Sequence, residues 1–300
     1  MTADDWTGAR RRRATRTVSS APGPEQNSAA CLGRPVRTRG ELPRMTNRKC
    51  RTQKLARRTN RFVARGLVLL YEDRDILVVD KPAGLLTVGT DREKERTAYF
   101  ALTDYVRKGN AKSRNRIFIV HRLDRETSGV LVFAKTVEAK LCLQRRWDET
   151  RKTYLAIVHG KFKKRSDTIT TYLAENSAYG VYSTTDAKQG KLSHTMYTVL
   201  RETKDFALLD VELLTGRKHQ IRVHLADRGH PVVGDTKYGR PNEAHRRLAL
   251  HARSLSLRHP VTGDAFTFDA EVPAHFKELV GSVERPRPGH PPSTEVGARR

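Results

Sequence analysis

Short apolar runs separated by turn signals constrain this chain more than any other feature. LVLLY (Leu67–Tyr71) and ILVVD (Ile76–Asp80) flank the turn-prone EDRD, and IFIV (Ile117–Val120) and VLVFAK (Val130–Lys135) flank HRLDRETSG. Runs of four to eight apolar or β-branched residues bounded by Gly, Pro, Asp or Asn predict strands. KPAG (Lys81–Gly84) ends the second strand, because Pro82 has no N–H for a ladder and Gly84 permits a turn. TYLAIVHG alternates Tyr154, Ala156 and Val158 against Leu155 and Ile157, as a strand with two faces does. TMYTVLRE (Thr195–Glu202) and FALLDVELL (Phe206–Leu214) predict a strand pair. LALHARSLSLRHP and DAFTFDAEVP predict a closing hairpin around Thr262-Gly263, and the polar stretch 165–195 predicts a hairpin or insert.

Helices are fewer. Residues 97–108 suit one, with Phe100, Leu102, Tyr105 and Val106 near one side, and Gly109 to Asn115 follows as a basic loop. Residues 136–150 suit a second. TGRKHQIRVHLADRG suits a third, capped by Thr215, with Ile221 and Leu225 four apart and Gly229 at its end. Strands outnumber helices and many join as hairpins, which predicts an α+β domain with a mainly antiparallel sheet and flanking helices. Neither G-x-G-x-x-G nor G-x-x-x-x-G-K-[ST] occurs, which argues against a dinucleotide fold or P-loop.

The charge predicts a polyanionic partner, nucleic acid before membrane, with a formal net charge of +25 and a pI of about 10.5. Residues 1–65 carry 17 Lys+Arg against 4 Asp+Glu and residues 281–300 carry 4 against 2, so the middle retains +10. Residues 1–64, rich in Arg, Ser, Thr, Pro and Ala, are expected to be a disordered basic extension, residues 65–280 a single catalytic domain, and residues 281–300 a disordered Pro-rich tail. Met45 opens a second basic run, MTNRKCRTQKLARR, and the sequence leaves open whether translation starts at Met1 or at Met45. No apolar run is long enough to span a bilayer. Cys31, Cys50 and Cys142 form no C-x-x-C pair, so neither a disulfide framework nor a structural zinc site is expected, and a reducing cytoplasmic location is. His121, His219 and His224 lack a convincing ligand set and read as structural histidines.

HRLDRETSG places Asp124 between Arg122 and Arg125 and closes on Thr-Ser-Gly, in a loop held by two buried strands. An acid flanked by two arginines is what a site looks like when an anionic polymer must be held while a single carboxylate does chemistry. Arg217, Lys218, His219 and Gln220, beside a helix start, are placed to meet phosphates, with Lys81 and Arg125 as further candidates.

HRLDRETSGVLVFAK, preceded by ILVVDKPAG and followed by RKTYLAIVHG, TGRKHQIRVHL and LALHA, resembles the RluA family of RNA pseudouridine synthases, in the family's order from about Leu67 to Pro273. The resemblance is to the branch with a single catalytic domain. It implies a mixed, mainly antiparallel sheet split by a central catalytic cleft, no cofactor, no metal, and isomerisation of uridine in structured RNA. It places the catalytic aspartate on Asp124, the active-site tyrosine on Tyr154 and the basic partner of the aspartate on Arg222. It also places on Arg122 the arginine that fills the gap left by an extruded base, and on Leu250 an apolar wall of the uracil pocket. Transfer RNA and ribosomal RNA both fit as substrates, and a monomer is expected. Whether Asp124 attacks base or sugar, or abstracts a proton, the sequence leaves open. A non-catalytic RNA-binding or ribosome-assembly factor is the alternative reading of the same charge.

Overall fold

The computed structural model describes residues 54–55, 61–89, 93–281 and 283. The readings for the basic extension, apart from residues 54–55 and 61–64, and for the Pro-rich tail beyond 283 lie outside them, as do Cys31, Cys50 and Met45. Strands are β1 (Lys54–Leu55), β2 (Arg61–Phe62), β3 (Val68–Glu72), β4 (Ile76–Lys81), β5 (Phe118–Ile119), β6 (Ser128–Ala134), β7 (Arg151–His159), β8 (Ser166–Glu175), β9 (Val181–Thr184), β10 (Lys191–Glu202), β11 (Phe206–Leu213), β12 (Leu250–Arg258) and β13 (Ala265–Asp269). Helices are α1 (Ala98–Arg107), α2 (Val137–Arg145), α3 (Gln220–Asp227) and α4 (Ala274–Val280). No helix among the described residues is long and apolar enough to cross a membrane.

The strands form one mixed, mainly antiparallel sheet in the order β2-β3-β4-β6-β12-β7-β11-β10-β8-β9, with β13 beside β12 and β5 beside β6. Two halves meet where β6 lies parallel to β12, and only two residue pairs form that contact, His251 with Ser128 and Ala252 with Gly129. Gly129 is what permits the approach. Its φ is +115°, and a Cβ there would stand 2.1 Å from the Ala252 carbonyl oxygen. Ser128 Oγ and His251 Nδ1, 2.9 Å apart and buried, bridge the same seam.

The continuous apolar runs are strands covered on both faces. Ile76, Val78, Val130 and Val132 pack with Leu255, Phe266 and Phe268, whereas Leu77, Val79, Leu131 and Phe133 pack against Ala98 and Leu102 of α1. Alternation is therefore present in space but hidden in the sequence, since both faces are apolar. The EDRD turn closes because Asp73 Oδ1 accepts from the Asp75 and Ile76 amides, both at 2.8 Å.

Four local expectations need correction. The α1 cap is Thr97, whose hydroxyl accepts from Phe100 N at 3.1 Å, but the buried face is Ala98, Ala101, Leu102 and Val106, with Phe100 exposed. The second helix stops at Arg145, and Trp147–Glu149 forms a 3-10 turn. Thr215 does not cap α3. It lies before His219, the residue that opens the helix at φ +54°, and its hydroxyl instead donates to Gln220 Oε1 and accepts from His194 N. The polar stretch 165–195 is the β8–β9 hairpin together with the start of β10, which begins at Lys191 rather than Thr195.

Candidate active site

The HRLDRETSG loop leaves β5, crosses the mouth of the seam and enters β6. Its backbone is pinned from several sides. Thr87 Oγ1 donates to the Leu123 carbonyl at 2.8 Å and accepts from Leu123 N at 3.1 Å. The Arg125 carbonyl accepts from Gly84 N at 2.9 Å and from Lys81 Nζ at 3.1 Å. His121 Nε2 accepts from Val132 N at 3.1 Å, and its ring packs on Trp147 at 4.6 Å. Burial, followed by the nearby Lys152 charge, pulls the His121 pKa down to about 3, so the imidazole is the neutral acceptor this bond needs.

Asp124 sits at the crest of this loop, its side chain 26% exposed. Its Oδ2 accepts from Arg222 Nη1 at 3.1 Å. Arg222 projects from α3 and is only 7% exposed. A carboxylate absent from the sequence reading holds it there. Asp235 accepts from Arg222 Nε at 2.7 Å and Nη2 at 2.8 Å, a two-point clamp that leaves Nη1 for Asp124. Asp235 Oδ1 also accepts from the Lys237 and Tyr238 amides. Burial favours neutral Asp235, but Arg222 and those two amides outweigh it and hold its pKa below the ordinary carboxylate range. Burial likewise opposes charge on Arg222, yet Asp235 and then Asp124 raise its pKa above the ordinary guanidinium range. The guanidinium lies over the Tyr238 ring, 5.2 Å from its centroid.

His219 supplies the other polar wall. Its Nδ1 is 2.7 Å from Tyr238 Oη, which already accepts from Val181 N at 3.0 Å. His219 Nε2 lies 3.9 Å from Asp124 Oδ2, and the tautomer with its proton on Nε2 presents that N–H to the carboxylate while Nδ1 accepts from the phenol. Burial lowers the His219 pKa, with Asp124 opposing and the surrounding cations assisting, so a neutral ring is favoured.

Tyr154 and several apolar side chains form another part of the wall. Tyr154 of β7 and Leu250 of β12 line the same cavity as Asp124, with Leu213, Ile221 and Leu123. Burial, then the Asp124 charge, raises the Tyr154 pKa, so it stays a neutral phenol. Arg122 and Arg217 also line the cavity, both exposed, with no hydrogen bond or ion pair engaging either guanidinium among the described residues. The structure thus gathers Asp124, Tyr154, Arg222, Arg122, Leu250, Arg217, His219 and Gln220 around one opening.

Two expected phosphate contacts are corrected. Lys81 is 0% exposed, and its ammonium donates to the Pro82, Leu85 and Arg125 carbonyls, so it fastens the loop from beneath. Gln220 is buried with its amide spent on the His194 carbonyl and Thr195 Oγ1, while its carbonyl accepts from Thr215 and Arg217 N. Arg125 is exposed but pairs with Glu93 at 2.6 Å. Lys218 pairs with Glu175 and also donates to the Tyr179 carbonyl. Tyr179 itself was missed. It is 73% exposed at the tip of the β8–β9 hairpin, with φ +58°, and Lys218 lies 5.3 Å from its ring centroid.

Asp235→Asn is expected to destabilise the fold by about 3 kcal/mol, at the low end for breaking a buried ion pair. It should also loosen the aim of Arg222 at Asp124. Urea denaturation beside single-turnover assays checks both effects.

A family model described as RNA pseudouridylate synthase matches residues 75–227. An uncharacterized RNA pseudouridine synthase of Synechocystis sp. is 36% identical over 227 residues, covering 71% of this chain and 68% of its own length. Ribosomal large subunit pseudouridine synthase D of Nitrosomonas europaea is 36% identical over 230 residues, 72% of this chain and 65% of that protein. The structure of human RNA pseudouridylate synthase domain containing 1 aligns with a TM-score of 0.54 at 28% identity, covering 68% of this chain and 83% of that one.

Proposed function

Because this chain belongs to the RNA pseudouridylate synthase family, we propose that it isomerises specific uridines in structured RNA with Asp124 as its nucleophile. As an RNA pseudouridine synthase it is an isomerase. The reaction breaks the bond between N1 of uracil and C1′ of ribose, turns the base, and joins C5 to C1′. The proton leaving C5 balances the one gained at N1. A carboxylate can hold one fragment covalently during the turn. The observation that carries this reading is the Asp235–Arg222–Asp124 chain. It holds one carboxylate in a fixed orientation at the mouth of a pocket that also presents Tyr154, Leu213 and Leu250.

A stacked uridine must leave its helix first, at a cost of a few kcal/mol. Arg122, exposed beside Asp124, is suited to fill the vacated stack. Tyr154 offers the extruded base a stacking face worth roughly 1–3 kcal/mol, and Leu250 closes the apolar side. Arg217 and the rim around Tyr179 are suited to the flanking phosphates and bases. Large-subunit ribosomal RNA is the first substrate to test, in view of the relative from Nitrosomonas europaea, with transfer RNA second. We take the enzyme to act as a cytoplasmic monomer.

Carbodiimide mapping of pseudouridine in ribosomal and transfer RNA, from cells with and without the gene, tests the proposal. Loss of one or a few sites on deletion, restored by the intact gene, is the expected result. Identical maps would overturn it.

A further inference from the structure

A second cleft, of about 970 Å³, lies near the end of β4 and β6 remote from Asp124. The strands pair from Lys81 with Gly129, close to the catalytic loop, to Ile76 with Ala134, beside this cleft. Five residues separate the two ends, about 17 Å at the usual strand rise. Arg61, Arg74, Lys108, Arg114 and Arg116 line it, all exposed and drawn from four separate segments of chain. Its acids do not balance them. Glu72 is already met by Lys135 Nζ at 2.7 Å and Tyr105 Oη at 2.9 Å, which leaves Glu138 facing five cations.

The basic loop is held in place rather than trailing. Arg107 Nε donates to the Asn115 carbonyl at 3.2 Å, and Asn115 Nδ2 donates to the Val106 carbonyl at 3.3 Å. Arg116 lies 4.9 Å from the centroid of the half-buried Phe118 ring, which forms a flat cationic and aromatic surface on the cleft wall. Five like charges in one concavity repel each other unless an anion joins them, and such a concavity concentrates polyanions.

We propose that this cleft is a second RNA-binding site, which grips the phosphodiester backbone of the substrate away from the reacting uridine. The proposal rests on the RNA-modifying reading of the Asp124 site and extends it. At about 3.4 Å per stacked nucleotide the separation corresponds to roughly five nucleotides, so the RNA is held at two points.

The test uses the full chain, labelled bulk transfer RNA as probe, and binding measured across a salt series. Lys108→Gln/Arg114→Gln/Arg116→Gln should flatten the slope of log K against log salt by about 2–3, since each lost phosphate contact removes about 0.9. Lys161→Gln/Lys163→Gln/Lys204→Gln removes the same charge from exposed positions elsewhere and should change the slope by less than 1. Unchanged melting temperatures establish that both variants fold. An unaltered slope in the cleft variant, or an equal drop in the control, overturns the cleft. Pseudouridine mapping with the wild type keeps the two readings separate. Modification with an unaltered slope removes the cleft alone, whereas a flattened slope without any modified uridine removes the catalytic reading alone.

Discussion

Asp124→Asn is expected to lower pseudouridine formation by at least about 10⁴-fold, below detection by carbodiimide mapping, while leaving the fold and RNA binding nearly intact. The amide has the shape of the carboxylate and keeps an oxygen to accept from Arg222 Nη1. It lacks the negative charge that the proposed nucleophile needs, and losing a nucleophile typically costs this much or more. Stability should change by about 1 kcal/mol, because Arg222 keeps its two-point clamp to Asp235 and is not left buried without a partner. Mapping and thermal melting on the same preparation separate the effects. Normal pseudouridine levels in the variant would remove Asp124 from the chemistry.

Gly129→Ala carries the largest expected loss of stability. The new methyl would meet the Ala252 carbonyl oxygen at 2.1 Å, and the backbone oxygen cannot swing away as a side chain could. The φ of +115° adds strain for any residue with a Cβ. Strained backbone costs about 1–3 kcal/mol and overpacking a further 1–3, so a loss of about 4 kcal/mol is expected. For a domain of this size that lowers the melting temperature by roughly 10 °C. Activity should fall as well, because the displaced strand begins one residue after Thr127, which lines the Asp124 cavity. A melting temperature within two degrees of the wild type (roughly 0.5–1 kcal/mol) would show that the seam yields more easily than its geometry implies.

The HRLDRETSG loop was legible because its meaning is local. Asp124, its flanking arginines and the Thr-Ser-Gly exit stand together, and strong apolar runs bracket them. The sheet was legible for the same reason, through strand length and turn chemistry. What escaped depends on partners distant in sequence. Lys81 reads as a surface cation until its ammonium is seen beneath the loop, where three carbonyls replace its water. Gln220 was given to phosphate because a helix start was near, yet four hydrogen bonds to its neighbours consume its amide. Asp235 sits in GDTKYG between glycines, where an acid looks like a turn former. It does cap that turn, but it also clamps Arg222, and only the fold reveals the second task. The signal for Tyr179 was an aromatic in a polar hairpin tip, where no core could use it.

The ion pair between Asp124 and Arg222 joins a loop of one half of the sheet to a helix of the other, across a strand junction of only two residue pairs. The acid and its cation therefore meet only while the two leaves stay shut. Any event that pries the leaves apart parts this ion pair without touching either side chain, so the pairing of acid with cation and the closure of the junction form a single coordinate.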